Sequence, residues 1–356
     1  KKQARSLGSA ATKVTAEHLT EVSTLNPLET LSGAIPGVDI SAPAQPGAST
    51  KVISRGFGSI TGSNTPLYII NGSPVLDRSN GSIGTSSSFD VGSGVVDLDP
   101  NNIESINFLK GAAATALYGS RAANGAIIIT TKTGKGKIKV DFTSSIDYNE
   151  VGKLVDKQQK FGTGWAGQSY SNVSGEGPLA ASNENGSWGA PFDGEVRAWS
   201  RIVDNTQLIK PYVPLENNVR EFFDIGQTYT NSLTISGSNE NANAALTYSR
   251  VDSDGVFPTD SDSFVKDNFG LNAGISSGRL AVKASANYAF KDQWAIPSGQ
   301  GDDASFGKSL IQEILQMPND ISIVDMEDQS NIFNTPSYFY TPYAANPYVT
   351  LERNGF

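Results

Sequence analysis

Apolar and polar residues alternate along several stretches in the second half of the chain, and this alternation limits the fold more than any other feature. In the first stretch Val140, Phe142 and Tyr148 alternate with Asp141 and Asp147. The same pattern recurs in 232–236, 243–249, 268–275 and 280–290. Because successive side chains of a strand point to opposite faces, the pattern predicts antiparallel strands with one apolar and one polar face.

The connections between these predicted strands alternate in length. Those at 149–231 and 252–263, and the segment after 291, are long, whereas 238–242 and 277–278 are short. Outer-membrane β-barrels have long outer loops and short inner turns, and a strand of about ten residues crosses the membrane. The order of loops therefore favours a transmembrane barrel over a soluble sandwich, which shares the alternation but not the order.

The alternating stretches predict five strands. An odd number of strands cannot close a bacterial single-chain barrel, and lipid tolerates no open strand edge. We therefore expect residues 138–356 to be the N-terminal part of a barrel whose other strands lie outside this sequence or in a second chain. No apolar run approaches the roughly 18 residues of a membrane helix, so a helical membrane protein is excluded.

The composition excludes several classes of site. The 356 residues include no Cys and a single His, His18, which removes thiol nucleophiles, disulfides and His-rich metal sites. The net charge of −9 divides into +3 for residues 1–137 and −12 for residues 138–356. An acidic second half without a basic stripe argues against a nucleic-acid partner. We expect no catalytic residues and no enzyme activity.

The first 137 residues follow a different pattern, in which short apolar stretches are separated by Gly, Pro and Ser. Asn26-Pro27 predicts the start of a short amphipathic helix that runs through Leu31 towards Gly33. Residues 112–118 predict a second helix, which ends at Gly119. The predicted strands are 38–40, 51–54, 67–70, 103–109 and 125–130. Together these elements predict a small α+β unit.

Strings within residues 5–137 resemble the plug domain of TonB-dependent outer-membrane transporters. These strings are Leu28 to Gly33, Pro36-Gly37-Val38, Arg55-Gly56 and Pro66 to Pro74. Further strings narrow the resemblance to the SusC/RagA branch of Bacteroidetes, namely Asp99-Pro100, Ile103 to Ile106, Leu109 to Ala113, Ala116 to Gly125 and Ile129 to Lys132. One departure is Asn71-Gly72-Ser73-Pro74, where the family usually has Asp-Gly-Val-Pro, so that a carboxylate is lost from the turn.

The resemblance implies a fold class and a function. The fold is an α+β plug domain at residues 1–137, followed at 138–356 by antiparallel transmembrane strands with long extracellular loops, part of a barrel of roughly 22 strands. The function is TonB-dependent import of a large nutrient, an oligosaccharide or a peptide, across the Gram-negative outer membrane. The implied partners are a SusD-like surface lipoprotein, outer-membrane lipid and lipopolysaccharide, and TonB with ExbB and ExbD, which would pull on a segment upstream of Lys1.

Two alternatives stay open at this point. A SusC-like barrel can serve as a structural accessory subunit in a larger outer-membrane assembly or secretion machine. The alternation of apolar and polar residues is also compatible with a soluble β-rich glycan-binding protein or enzyme.

The candidate ligand contacts lie on predicted outward loops. They are Arg55, Ser86, Ser87, Phe89, Trp165, Trp188 and Trp294. Residues 79–94, rich in Ser and Gly, predict a mobile loop of the plug. Aromatic side chains stack on sugar rings and peptide side chains, although interfacial belts and loop packing use the same residues. Further aromatic residues of this kind are Trp199, Tyr338, Phe339, Tyr340, Tyr343 and Tyr348.

Asp252, Asp254, Asp260 and Asp262 form an acidic stretch that raises the question of a Ca²⁺ site. Their spacing lacks the Gly and the terminal Glu of an EF-hand loop, so the sequence favours a solvated acidic loop and no cofactor.

Overall fold

A computed structural model describes residues 11–16, 19, 26–42, 45–54, 56–60, 64–75, 94–95, 97–165, 167–169, 185–296, 309–341 and 343–354. The strands are β1 Ala11–Thr15, β2 Val38–Ser41, β3 Lys51–Ser54, β4 Leu67–Ile70, β5 Ser73–Val75, β6 Ile103–Leu109, β7 Ala126–Thr131, β8 Lys139–Asn149, β9 Gly164–Trp165, β10 Gln168–Ser169, β11 Val196–Val203, β12 Thr206–Pro211, β13 Gly226–Ser238, β14 Ala242–Asp254, β15 Phe264–Ser277 and β16 Leu280–Gln293. The α-helices are α1 Ala112–Tyr118, α2 Leu310–Gln316 and α3 Pro347–Asn354.

The N-terminal unit, residues 11–131, is built on a mixed sheet of order β1-β6-β7-β4-β5. Strands β4 and β7 are parallel and the other neighbours are antiparallel. Its apolar core includes Leu31, Val52, Ile106 and Phe108. Helix α1 adds a small second cluster, in which Ala114 is buried with residues of β4 and β7. The predicted α+β unit is confirmed.

The helix predicted after Asn26-Pro27 is wrong, because only one 3₁₀ turn forms, at Glu29–Leu31. Asn26 is not the N-cap, because the turn begins after Leu28, which has no side-chain cap; Asn26 Oδ1 instead accepts a hydrogen bond from Leu28 N at 2.9 Å, just before the turn. Gly33 then takes a φ of 73°, a left-handed conformation that ends a helix readily. One turn is enough to bury Leu31 in the core of the N-terminal unit.

The long-stranded sheet has the order β16-β15-β14-β13-β8, with all neighbours antiparallel. Its strands contain 11 to 14 residues. The connections are 150–225, 239–241, 255–263 and 278–279. The predicted long–short–long–short order of loops is confirmed. Strands β8 and β16 are the two edges of this sheet.

The two faces of the long-stranded sheet are inverted relative to those of a water-soluble protein. The face towards the N-terminal unit buries polar side chains, among them Thr234, Thr247 and Asn272. The opposite face exposes large apolar side chains such as Phe142 and Phe269. A sheet that buries its polar face and presents its apolar face outward fits a lipid surrounding. Within the described part of the chain, no helix is both long and apolar enough to cross a membrane.

The long connections fold together into a loop lobe, formed by the described residues of 150–225, 255–263 and 294–354. Its core consists of Phe222, Phe257, Ile296, Leu310, Ile314, Met317, Ile321, Ile323, Met326, Phe339, Tyr340, Tyr348 and Leu351. Three aromatic residues considered for ligand contact, Phe339, Tyr340 and Tyr348, are therefore core residues of the lobe. Tyr338 and Tyr343 remain exposed.

A buried ion pair ties separate segments of the loop lobe together. Lys210 Nζ of β12 lies 2.8 Å from Asp320 Oδ2. The other oxygen of this carboxylate accepts hydrogen bonds from both N and Oγ1 of Thr163, each at 2.8 Å. Burial lowers the pKa of Lys210, and the charge of Asp320 opposes this effect. Because a buried ion pair requires good geometry and satisfied hydrogen bonds, the network fixes these segments of the lobe relative to one another.

Candidate functional site

The N-terminal unit meets the polar face of the long-stranded sheet along a column of polar side chains, called the seam. The N-terminal unit contributes Asp97, Asp99, Asn102 and Thr131, and the sheet contributes Ser232, Thr247, Lys266, Asn272, Asn287 and Lys291. Every member of the seam can donate or accept hydrogen bonds. The two parts of the molecule therefore meet through polar groups.

One end of the seam carries opposite charges on its two sides. Lys291 Nζ lies 2.8 Å from Asp97 Oδ1, and Ser232 Oγ donates to Asp99 Oδ2 at 3.3 Å. Lys266, only 1% exposed, points to the same side and interacts electrostatically with Asp97 and Asp99. Because Lys266 and Asp99 are buried, their charges depend on opposite charges nearby for compensation, so this end of the seam is electrostatically complementary.

Glu29 brings a further carboxylate close to this end. Burial raises the pKa of the Glu29 carboxyl, while its hydrogen bond with Thr50 and the charge of Lys266 act to lower it. Thr50 Oγ1 donates to Glu29 Oε1 at 3.3 Å. The carboxylates of the N-terminal unit thus face the lysines of the sheet.

The remainder of the seam is neutral. Asn102 Nδ2 donates to Asn287 Oδ1 at 3.0 Å, and Thr247 Oγ1 donates to Asn102 Oδ1 at 3.5 Å. Thr131 Oγ1 donates to Asn272 Oδ1 at 3.0 Å. A neutral hydrogen bond contributes about 0.5–1.5 kcal/mol net, because water satisfies the same groups when the bond breaks. These hydrogen bonds align the N-terminal unit with the sheet but contribute little to the free energy that holds the two together.

The segment between the two sheets, residues 132–138, is held against the short-turn end of the long-stranded sheet. Gly136 N donates to Ser238 Oγ at 2.7 Å, and Ser238 N donates to Gly136 O at 2.7 Å. A Cβ on Gly134 would lie 1.9 Å from Gly237 O, so only glycine fits there. The covalent link between the two parts is therefore fixed at this end.

Two of the predicted ligand contacts lie side by side in the loop lobe. Trp165 and Trp188 are 62% and 69% exposed. A Cβ on Gly186 would lie 3.4 Å from Trp165 Cε3 and 3.6 Å from Trp188 Cδ1. Trp188 N donates to Gly164 O at 3.1 Å, which joins the two segments. We call this arrangement the indole pair.

The other predicted contacts are distributed differently. Trp294 is half exposed and directly follows β16, where its backbone N donates to Ser263 O at 2.9 Å. Four of the predicted contacts lie outside the described residues: Arg55, Ser86, Ser87 and Phe89. The predicted mobile loop at 79–94 also lies outside them, apart from Gly94.

The acidic stretch is only partly solvated, which corrects the prediction for Asp262. This residue is fully buried, and its carboxylate accepts hydrogen bonds from Val256 N at 3.0 Å and Phe257 N at 3.3 Å. Burial raises the pKa of Asp262 to about 7, although the backbone hydrogen bonds act to lower it. Among the described residues, no group of three or more His, Cys, Asp or Glu side chains is arranged to hold a metal ion. Asp262 organises the 255–263 loop.

Residues 3–126 match the family model described as TonB-dependent Receptor Plug Domain. TonB-dependent receptor P39 of Formosa agariphila is 32% identical over 142 residues, which cover 39% of this chain and 12% of that protein. TonB-dependent receptor SusC of Bacteroides thetaiotaomicron is 37% identical over 143 residues, which cover 39% of this chain and 14% of that protein. The matches therefore span a small part of each relative.

The fold is similar to that of a solved transporter. The RagAB peptide importer in its closed-closed state aligns with a TM-score of 0.59 at 19% identity, covering 85% of this chain and 33% of that chain. The open-open state gives the same TM-score at 20% identity. This likeness extends beyond the N-terminal unit into the long-stranded sheet and the loop lobe, because 85% of the chain is covered.

The N-terminal unit thus matches a TonB-dependent receptor plug domain over residues 3–126, and the strands that follow it have a fold similar to that of a transporter of this class. Beyond the family model, the chain is similar in sequence to TonB-dependent receptor SusC and in fold to the RagAB importer.

Proposed function

We propose that this chain forms part of a receptor that imports a large nutrient across the outer membrane with the aid of TonB. In this proposal residues 1–137 act as the plug, and residues 138–356 contribute barrel strands and extracellular loops. The observation that carries the proposal is the seam, in which a unit with an apolar core of its own rests on a polar sheet face through hydrogen bonds and ion pairs.

The polar character of the seam suits a plug that must move. Separation of two apolar surfaces costs roughly 25 cal/mol per Å² exposed to water. Separation at the seam instead exposes amides, hydroxyls and charges that water solvates, and the core around Ile106 and Phe108 stays within the N-terminal unit. A modest mechanical input can therefore displace or remodel the plug reversibly.

The partners follow from the same proposal. TonB, driven by ExbB and ExbD, supplies the force, and a SusD-like lipoprotein joins the receptor at the loop lobe. The β11–β12 hairpin offers a suitable surface, because Val196 and Ile209 are exposed on it. Large exposed apolar side chains of this kind favour a protein partner. Outer-membrane lipid would cover the apolar face of the long-stranded sheet.

The ligand is proposed to be an oligosaccharide or a peptide that contacts the indole pair. Two exposed indoles with a glycine between them present aromatic surface to a flat ligand group. Trp294 and the four predicted residues outside the described part, Arg55, Ser86, Ser87 and Phe89, stay in the proposal as further contacts.

The import proposal is tested by growth of a deletion strain on a panel of glycans and peptides as sole nutrient sources. Loss of growth on one class, restored by the wild-type gene, is the expected result. Normal growth on every source would contradict import and favour a structural accessory role. Detergent-free extraction of the full protein would contradict both and favour a soluble binding protein.

A covalent lock tests whether the plug must move. The chain has no native Cys, so Thr131→Cys with Asn272→Cys can be joined by oxidation or by a short bifunctional thiol reagent. We expect uptake to stop when the two are joined by oxidation and to return on reduction, while each single variant transports normally. Full uptake by the joined receptor would contradict gating by plug movement at the seam.

A further inference from the structure

Gly270 occupies a position in β15 where the backbone does not require glycine. It lies within a 14-residue strand and is not among the glycines with positive φ. Glycine weakens the interior of a strand and often marks a place where another group approaches closely. The reason for glycine at this position must therefore be space.

The group that fills the space belongs to the N-terminal unit. A Cβ on Gly270 would lie 2.4 Å from Asn102 Nδ2 and 3.1 Å from Asn102 Cγ. Asn102 is only 3% exposed. Since both its terminal nitrogen and its Cγ are in the way, the side chain must be displaced before any larger residue fits at position 270.

The surroundings of Gly270 complete a notch in the sheet. Thr247 on β14 and Asn287 on β16 are the direct neighbours of Gly270 across the strands. These two residues hydrogen-bond the side chain of Asn102, which accepts from Thr247 and donates to Asn287. One side chain of the N-terminal unit thus fills the gap on the middle strand and connects the strands on either side.

Asn102 is also firmly mounted within its own unit. It ends the 3₁₀ turn Pro100–Asn102, whose cap is Asp99, and Asp99 Oδ1 accepts from Asn101 N at 2.8 Å. The carbonyl of Asn102 accepts from Lys132 N at 2.7 Å, the first residue after β7. Strand β6 begins at the next residue, Ile103. A shift of Asn102 is therefore transmitted to β6 and to the linking segment.

We propose that Asn102 is a positioning residue that fixes where the N-terminal unit rests on the long-stranded sheet, which we call seating. Its side chain binds in the notch formed by Thr247, Gly270 and Asn287. The notch lies between the other contacts of the seam, with Asn272 on one side of Gly270 along β15 and Lys266 on the other, so the position of Asn102 sets the register of both. The proposal concerns seating alone and does not depend on which nutrient is carried.

The test measures how well the N-terminal unit covers the sheet in the purified full-length receptor. Ser249→Cys places a thiol on the polar face, opposite Ser232 and Asn268 on the neighbouring strands. On β14 it is the next residue after Thr247 that faces inward, so it lies beside the notch. Ser249 is buried and its Oγ has no hydrogen-bond partner within the described residues, so the exchange loses no bond. A maleimide can reach this thiol only when the N-terminal unit moves off the sheet. The labelling rate therefore measures how often the unit leaves its position.

Gly270→Ala in this background is expected to raise the labelling rate about tenfold, the effect of losing two hydrogen bonds. Gly274→Ala is the matched control, since it lies on the same face of β15 and its Cβ would meet Asn243 Nδ2 of the sheet at 3.0 Å. The control is expected to label within about twofold of the parent, because no hydrogen bond to the N-terminal unit is lost. Equal rates for the two variants would overturn the proposal.

Asn102→Ala tests the same contact without changing the sheet, and it therefore keeps the proposal testable if Gly270→Ala fails to assemble. It should raise labelling as Gly270→Ala does, and the double variant should label no faster than Asn102→Ala alone, since the clash has been removed. Additive effects, or no effect of Asn102→Ala, would refute the notch. The labelling assay contains neither ligand nor TonB. Its result therefore stands whether or not the import experiment succeeds.

Discussion

The two faces of the long-stranded sheet show how the same strands can carry residues suited to two different environments. The outward face exposes Leu246, Phe269 and Ile275, whereas the inward face buries Thr247, Asn268 and Asn272. The same strands supply both faces, since adjacent residues point to opposite sides. The polar face suits the N-terminal unit that lies against it, and the apolar face suits the lipid that we propose covers it.

The described contacts that hold the N-terminal unit on the inward face are mostly polar, although the ring of Phe264 packs against Gly47. The N-terminal unit and the loop lobe each have an apolar core. The seam between the unit and the sheet consists of hydrogen bonds and ion pairs. Apolar cores give each part its stability, and the polar seam leaves the parts separable.

The largest effect is expected from a charge on the outward face. Ala286 and Ser285 are neighbours in the middle of β16 and point to opposite faces. We expect Ala286→Lys to destabilise the full receptor in lipid by about 2–4 kcal/mol, because an ammonium group at the membrane midplane is poorly solvated. Denaturant titration in vesicles measures this, with Ser285→Lys as the control of small effect. Equal losses for the two variants would contradict the assignment of faces.

Much of this division into faces was predictable from alternation, but the strand lengths were not. Strand β14 extends to Asp254, well past the predicted segment 243–249. In the extension Arg250 and Asp252 occupy outward positions, so the apolar signal ends before the strand does. Arg250 instead pairs with Asp267 of β15 at 3.0 Å. Hydrophobic periodicity detects only the part of a strand that faces lipid.

The seam could not be predicted, for a physical reason. Asn102 lies in a Pro-Asn-Asn turn, and Gly270 resembles any glycine inside a strand. Their relation depends on a contact across 168 positions of chain, which no local pattern encodes. The β11–β12 hairpin of the loop lobe was missed as well, since Arg197 and Lys210 occupy its buried side and weaken the apolar signal.

Asp262 allows a comparison of how the molecule tolerates buried carboxylates. Seam carboxylates face lysines, whereas Asp262 in the loop lobe relies on the N–H groups of Val256 and Phe257. Because burial raises the pKa of Asp262 to about 7, the loop is most stable below pH 4 and loses this stability as pH rises towards and through 7. We expect exchange of the Val256 amide, corrected for intrinsic rates, to show several-fold more opening at pH 8 than at pH 5.

The control for this pH dependence is Asp262→Asn, which cannot ionise. Its opening should not depend on pH over the same range, although one backbone hydrogen bond is weakened. A wild-type loop that opens less often at pH 8 than at pH 5 would contradict the sign of the effect and indicate that the hydrogen bonds of the ionised form outweigh its burial.

The smallest effect is expected from the partly exposed ion pair of the seam. Lys291→Met should weaken seating by about 0.2–1 kcal/mol, because water and salt already screen a pair of this exposure. Labelling of the position 249 thiol measures it, and high salt should bring the parent close to the variant. Asp97→Asn should cost less in the Lys291→Met background than in the parent, because only its attraction to Lys266 remains to be lost. If Lys291→Met unseats the unit as strongly as Gly270→Ala, charge and not the fit of Asn102 holds the two parts in register.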